Sequence, residues 1–264
     1  MKEKMGISDY NKEFLKSLAY SRKHFWYSHR NEIIYRTITQ FCRKKNPKIL
    51  ELGAGSGNVL SFLSAKNLDV DGSDIYSESL SYISERAGKV FKYDLGVDPR
   101  KTEVKDLKEK YEVIILADIV EHLNDPVLAM RNAKYFCKKK GIIIITVPAL
   151  AKLWSEYDAI SGHKRRYSRD TLKREIQASG LECIFIRYFF FLTSIFLFLR
   201  RRIVRATPKF AENAYSEEFI KREFKINTFF NALFTLIGKV ELFIGKFLSF
   251  PFGSSIIAVG RVSS

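Results

Sequence analysis

Gly53, Gly55 and Gly57 stand at alternate positions after the run Ile49-Leu-Glu-Leu52, and Asp74 closes the next apolar run. A buried strand that breaks into a glycine turn brings backbone N–H groups at a helix N-terminus against a ligand, with no Cβ atoms in the way. A carboxylate one strand later can take both hydroxyls of a ribose. The chemistry is that of gripping an adenosine-bearing cofactor. A dinucleotide fingerprint would carry its third glycine one residue later, where Asn58 stands, so nothing here asks for a pyrophosphate.

A second group of reactive side chains lies downstream. Asp118, Glu121 and His122 follow the apolar run 111–117, and His163, Arg165, Arg166 and Tyr167 fall within five positions. An imidazole titrates near neutral pH and can act as a general base; it can equally shape its turn by hydrogen-bonding backbone. Paired guanidiniums can hold a carboxylate or phosphate on two prongs, with tyrosine adding a hydroxyl. The same arginines can instead bridge to acids on neighbouring helices. Trp154 and Tyr157 can wall an acceptor pocket or belong to the core. Trp26, Tyr27 and Arg30 can close over the cofactor as a lid or pack on the first strand.

The elements that must position these groups alternate. Apolar runs at 48–52, 68–73, 89–93, 112–117 and 142–147 predict buried strands separated by helix-length stretches. That pattern predicts a parallel sheet with helices on both faces. Asp125-Pro126 opens a helix expected to run to about Lys139, and Ser168 starts another that Gly180 ends. Residues 181–191 and 254–262 predict a sixth and a seventh strand, and the first forty residues read as helices. Between the last two strands, Tyr188–Leu199 is apolar but too short to span a bilayer, which takes about 20 residues. Asn227–Phe250 is amphipathic, with Phe229, Leu233, Leu236, Ile237, Val240, Phe243, Ile244 and Phe247 at helical spacing. Such segments beside Arg200, Arg201, Arg202 and Arg205 suit a membrane interface or a helical subdomain packed on the sheet.

With 264 residues, 46% of them hydrophobic, the chain can bury a full core as one elaborated domain. Three scattered cysteines suit a reducing compartment and exclude a cysteine-cluster metal site. No apolar signal-peptide region is expected at the N-terminus. The net charge of +16 implies an anionic partner: nucleic acid, a phospholipid surface or a charged substrate.

Gly53-Ala-Gly-Ser-Gly57 resembles the first motif of class I S-adenosylmethionine-dependent methyltransferases, and Asp118-Ile-Val-Glu-His-Leu-Asn-Asp-Pro126 resembles their turn after the fourth strand. Ile145-Thr-Val-Pro-Ala149, then Leu153-Trp-Ser155, Asp158 and Gly162-His-Lys-Arg-Arg-Tyr167, is similar to a bacterial and archaeal subgroup of that family, over about Phe25 to Val262. The resemblance implies a doubly wound seven-stranded sheet of Rossmann-like methyltransferase fold, with a final antiparallel strand and an inserted helical cap. It implies S-adenosylmethionine as cofactor. Gly53, Gly55 and Gly57 would cradle the methionine part, Asp74 the ribose and Asp94 the adenine, with Glu51, Ala54, Ile75, Leu95 and Asp118 completing the pocket. His122, His163 and Glu121 would be catalytic. Tyr27, Arg30, Trp154, Arg165, Arg166 and Tyr167 would meet the substrate.

The acid-x-x-Glu-His arrangement is also similar to that of the quinone-biosynthesis O-methyltransferases, where it resembles a divalent-cation site. No metal is expected here, Mg²⁺ at Asp118, Glu121 and His122 being the minor option. The expected reaction is methylation of an oxygen, before a nitrogen, on a small or lipid-linked acceptor. Nucleic-acid methylation is the alternative that the charge encourages, but Ala117-Asp-Ile-Val120 lacks the turn of base N-methyltransferases. A non-catalytic membrane-attached scaffold is the other. The expected organisation is a helical lid over 1–45, the cofactor-binding core over 46–191, a helical and membrane-interface candidate segment over 192–250, and the last strand over 251–264. The expected location is the cytoplasm, with the inner membrane face as an option; the oligomeric state is left open.

Overall fold

The computed structural model describes residues 24–83, 88–204 and 227–263. The expectation of helices over the first 23 positions and the arginine at 205 lie outside the described residues. Seven strands form one sheet: β1 (Lys48–Leu52), β2 (Asp69–Asp74), β3 (Val90–Lys92), β4 (Tyr111–Ala117), β5 (Cys137–Pro148), β6 (Glu182–Phe189) and β7 (Ser255–Arg261). Their order is β3-β2-β1-β4-β5-β7-β6. Only β7 runs antiparallel to its neighbours, as expected.

The central strands are continuous apolar runs because both faces are covered. Ile114, Leu116, Ile143 and Ile145 point into one core with Met130, Phe136 and Leu172. Their neighbours Val113, Ile115, Ile142 and Ile144 point into the other with Ile34, Leu60 and Phe190. The helices that supply these layers are α1 (Phe25–Phe41), α2 (Asn58–Ser64), α3 (Ser77–Ile83), α4 (Pro126–Phe136), the short α5 (Glu156–Ile160) and α6 (Arg169–Ala178). Asp125 caps α4, its side chain accepting from the Leu128 N–H at 2.8 Å. That helix ends at Phe136, three positions before the expected Lys139. Cys137 instead pairs with Tyr111, and the Lys140 N–H donates to the Val262 carbonyl at 3.1 Å, so sheet pairing wins over local helix preference.

The segment between β6 and β7 holds α7 (Phe191–Val204) and α8 (Thr228–Ile244). α8 turns only part of its apolar surface inward, Phe234 and Ile237 packing on the core. Phe234, Gly238 and Glu241 are buried, whereas Phe229, Leu236, Phe243 and Phe247 are 59–74% exposed among the described residues. Glu241 lies 3.7 Å from His29 of α1 and accepts from the Leu192 N–H of α7. The Phe25 N–H of α1 donates to Asn231 of α8 at 2.8 Å. No described helix is long and apolar enough to cross a membrane.

Gly238 is where α8 and α1 approach most intimately: an added Cβ would meet the His29 ring at 2.6 Å. Gly238→Ala is therefore expected to cost about 1–3 kcal/mol by overpacking. A melting curve that moved by less than a degree would show that the two helices separate freely.

Candidate active site

Strand order reverses between β1 and β4, so the loops leaving their carboxyl ends diverge and open a crevice, the ligand site of open α/β sheets. From β1 comes the glycine turn, with φ of +74° at Gly53, +53° at Gly55 and +69° at Gly57. At Gly53 a side chain would be strained by that φ and would also strike Ile119, whose Cγ1 lies 2.7 Å from the would-be Cβ. At Gly55 nothing lies within 4 Å, so its Cα faces open space.

From β2 comes Asp74, buried at the strand's end. Its Oδ2 accepts from the Gly55 N–H at 2.8 Å and its Oδ1 from the Tyr76 N–H at 3.0 Å. Burial raises its pKa, against the opposing pull of those N–H bonds. Turn and carboxylate thus form one hydrogen-bonded unit, with lone pairs left for a diol. Ile75 beside it is 42% exposed, an apolar surface available to a flat ring. Glu51 sits beneath the turn, fully enclosed, accepting from the Leu60 N–H of α2 at 3.0 Å. Ala54 and Leu95 are buried, and Leu95 holds Asn132 through its carbonyl. Asp94 accepts from the Gly96 N–H at 2.7 Å and so closes its own loop.

From β4 comes Asp118, with φ of +52°. Thr146 donates to its Oδ1 at 2.8 Å, and Arg30 of α1 to its Oδ2 at 2.6 Å. The Arg30 guanidinium also lies 5.2 Å from the Tyr27 ring. Tyr27 hydrogen-bonds Tyr157, and its hydroxyl pKa is raised well above the usual value, burial first and the Tyr157 neighbour second. Trp26 stacks on Phe190 at 3.9 Å. The aromatic-basic knot therefore closes on the crevice through Arg30 while Trp26 packs on the core.

Behind Asp118 a 3₁₀ turn, Val120–His122, carries the second group. Glu121 is completely buried, and neither carboxylate oxygen has a hydrogen-bond partner. Burial, with Asp118 adding to it, holds its pKa well above the carboxylate range. The rings of His122 and His163 meet edge to face at 4.7 Å, and His163 Nε2 lies 3.8 Å from Glu121 Oε1. Burial, helped by His163, lowers His122 to about 4, so its imidazole is neutral. Glu121, His122 and His163 place donor atoms within 4.8 Å of one another, a spacing that can accept a divalent cation. Asp118 stands outside that group, occupied by Arg30 and Thr146.

The loop after β5 is arranged differently from the expected clamp. Arg166 spends its guanidinium on Asp158, at 2.7 and 3.0 Å, and on the Ala149 carbonyl at 2.9 Å. Arg165 donates to the carbonyls of Leu123 and Asn124. Tyr167 is 2% exposed within the core. The two guanidiniums do not converge, so their geometry is that of fold-holding contacts. Trp154 is 42% exposed. Sequence reasoning placed Asp158 and Thr146 in a motif but gave neither a role in the site. Ser155-x-x-Asp158 is a readable capping box, and it forms, with the Ser155 N–H and hydroxyl both donating to Asp158.

The site and sheet define a class I S-adenosylmethionine-dependent methyltransferase. A profile of the methyltransferase domain family matches residues 26–185, more than half of the chain, and the chain belongs to that family. It is 25% identical over 107 residues to the ubiquinone biosynthesis O-methyltransferase of Actinobacillus pleuropneumoniae serotype 5b (strain L20), covering 38% of this chain and 44% of that one. The chain thus spans under half the length of the curated relatives it matches. Among solved structures, a SAM dependent methyltransferase from Archaeoglobus fulgidus superposes with a TM-score of 0.50 at 17% identity, over 88% of this chain and 94% of that one. Phosphoethanolamine N-methyltransferase 2 of Haemonchus contortus, in complex with S-adenosyl-L-methionine, gives 0.53 at 16%, over 86% and 51%. These structures share the fold.

Enclosure lifts Glu51 to about 8 from an ordinary 4.5. The folded chain then binds this proton more tightly than the unfolded chain, so Glu51 lowers stability as pH rises from 4.5 towards 8. Glu51→Gln keeps the acceptor for Leu60 and is expected to flatten the fall of melting temperature across that window. An unchanged slope would show that Glu51 is ionised throughout.

Proposed function

We propose that this chain transfers the methyl group of S-adenosylmethionine to an oxygen of a small or lipid-linked acceptor. The observation that carries the reading is the Asp74–Gly55 unit at the switch point, a carboxylate and a bare backbone turn enclosing one end of the crevice. The bound sulfonium supplies an already activated methyl group. The protein's share is alignment and removal of the acceptor proton. Asp74 would hold the ribose hydroxyls, Ile75 and Asp94 the adenine side, and the glycine turn the amino-acid end. Arg30, fixed on Asp118, would close the crevice from the α1 side and keep water out. His122, held neutral by burial, and the adjacent His163 would offer ring nitrogens to take the proton. Oxygen as acceptor atom is supported by the relatives named for O-methylation in ubiquinone biosynthesis.

A lipid-linked acceptor is supported by α8. Its outward residues Phe229, Leu236 and Phe243, with Phe247 just beyond its end, make an apolar stripe on a chain of net charge +16, a pairing suited to an anionic bilayer surface. Peripheral attachment there would bring the crevice close to acceptors dissolved in lipid.

Three outcomes are expected. Asp74→Ala should lower kcat/KM for the methyl donor roughly 10- to 100-fold, the loss typical of hydrogen bonds to a charged group; full activity would remove Asp74 from the cofactor site. Incubation of the wild-type chain with labelled donor and a lipid extract should yield S-adenosylhomocysteine and a labelled lipid. Phe243→Glu with Phe247→Glu should abolish co-sedimentation with phosphatidylglycerol vesicles while leaving the melting temperature in place. Retention on the vesicles would place the lipid contact elsewhere.

A further inference from the structure

One buried carboxylate beside the crevice has no part in the mechanism so far. Asp158 in α5 is completely enclosed, and each of its oxygens is occupied. Its Oδ1 accepts from Arg166 Nε at 2.7 Å and lies 2.9 Å from His163 Nδ1. Its Oδ2 accepts from Arg166 Nη2 at 3.0 Å, the Ser155 N–H at 2.7 Å and the Ser155 hydroxyl at 2.8 Å. Burial by itself would push this acid up, but the bonds from His163 and Arg166 outweigh it and hold Asp158 well below the usual carboxylate range. An ionised carboxylate only accepts. The His163 atom facing it must therefore be an N–H.

In the neutral ring that contact places the proton on Nδ1. With Nδ1 protonated, Nε2 keeps its lone pair, and Nε2 is the atom on the side of Glu121 and His122. We propose that Asp158 is the positioning residue of the reaction, locking His163 with its proton on Nδ1 so that Nε2 is the base that receives the acceptor proton. The assignment rests on the methyl-transfer reading. In the step, the acceptor O–H proton passes to Nε2, the oxygen forms its bond to the methyl carbon, and the carbon–sulfur pair stays on sulfur as a neutral thioether. The resulting imidazolium faces the Asp158 carboxylate. Arg166 and Ser155 serve the same end one layer out: they hold the carboxylate's orientation and offset the cost of burying its charge.

His163 is one of four histidines, so its ring nitrogens can be assigned in ¹⁵N-labelled full-length protein by comparison with His163→Gln. The wild-type spectrum should show the neutral ring protonated at Nδ1. In Asp158→Asn, whose carbonyl oxygen is claimed by Arg166 and Ser155, the amide N–H₂ turns to Nδ1 and the ring should switch to Nε2–H. Turnover should then fall about 100-fold or more, as when a general base is lost, with KM for the methyl donor unchanged. Arg166→Gln leaves the carboxylate in place and should keep the Nδ1–H signature. A wild-type ring protonated at Nε2 would overturn the proposal without any variant having to fold. So would an Asp158→Asn protein that keeps both tautomer and turnover. Failure of S-adenosylhomocysteine to bind a protein with the Nδ1–H signature intact would instead sink the methyl-transfer reading and leave the Asp158–His163 geometry standing.

Discussion

The ion pair of Arg30 with Asp118 joins two parts of this molecule that the chain keeps far apart. Arg30, on a helix that precedes the sheet, donates at 2.6 Å to Asp118 at the carboxyl end of β4, and its side chain is only 7% exposed. Removing Asp118, itself 28% exposed, would strand the buried guanidinium, at a cost below the roughly 3–5 kcal/mol of a fully buried pair. The contact therefore fixes α1 over the crevice. Its neighbours on α1 extend the tie in both directions. Asn31 donates to Asn58 at the start of α2 at 2.7 Å, which reaches the glycine turn. His29 meets Glu241, which reaches α8. Cofactor turn, fourth strand and cap are thereby positioned by three consecutive residues.

Around that tie the site is organised by buried acids in unlike settings. Asp74 is stitched to backbone N–H groups, and Asp158 is held in its charged form by bonds from His163 and Arg166. Glu51 and Glu121 are pushed towards their neutral forms by enclosure. The same functional group thus appears as an acceptor of backbone N–H bonds, as a charged partner of His163 and Arg166, and twice as an enclosed acid, set by environment rather than identity. The surplus positive charge of the chain supplies long-range attraction for an anionic surface or substrate.

Much of the fold was legible because parallel strands covered on both faces must be apolar without interruption, as in Val113–Leu116 and Ile142–Ile145. The glycine turn was legible because only glycine suits three positive φ values in five residues. Long-range polar choices were not. Nothing local marks Arg30 as the partner of an acid 88 positions away, nor Asn231 as the acceptor for Phe25 across 206. Likewise the spacing of α8 left open whether its stripe lies on a membrane interface or packs on the sheet, and the close approach of Gly238 to His29 shows which side of the helix faces α1. The pair Arg165 and Arg166 reads as a clamp in sequence, whereas Asp158 and the carbonyls of Leu123 and Asn124 draw the two side chains apart.

The central claim is that the glycine turn and Asp74 grip the nucleoside end of a sulfonium methyl donor. Titration calorimetry of the wild-type chain addresses it without knowledge of the acceptor. Saturable one-to-one heat with S-adenosylmethionine and with S-adenosylhomocysteine is expected, and none with NADH. Silence with both donor forms, or heat with NADH that the donor cannot displace, would contradict it.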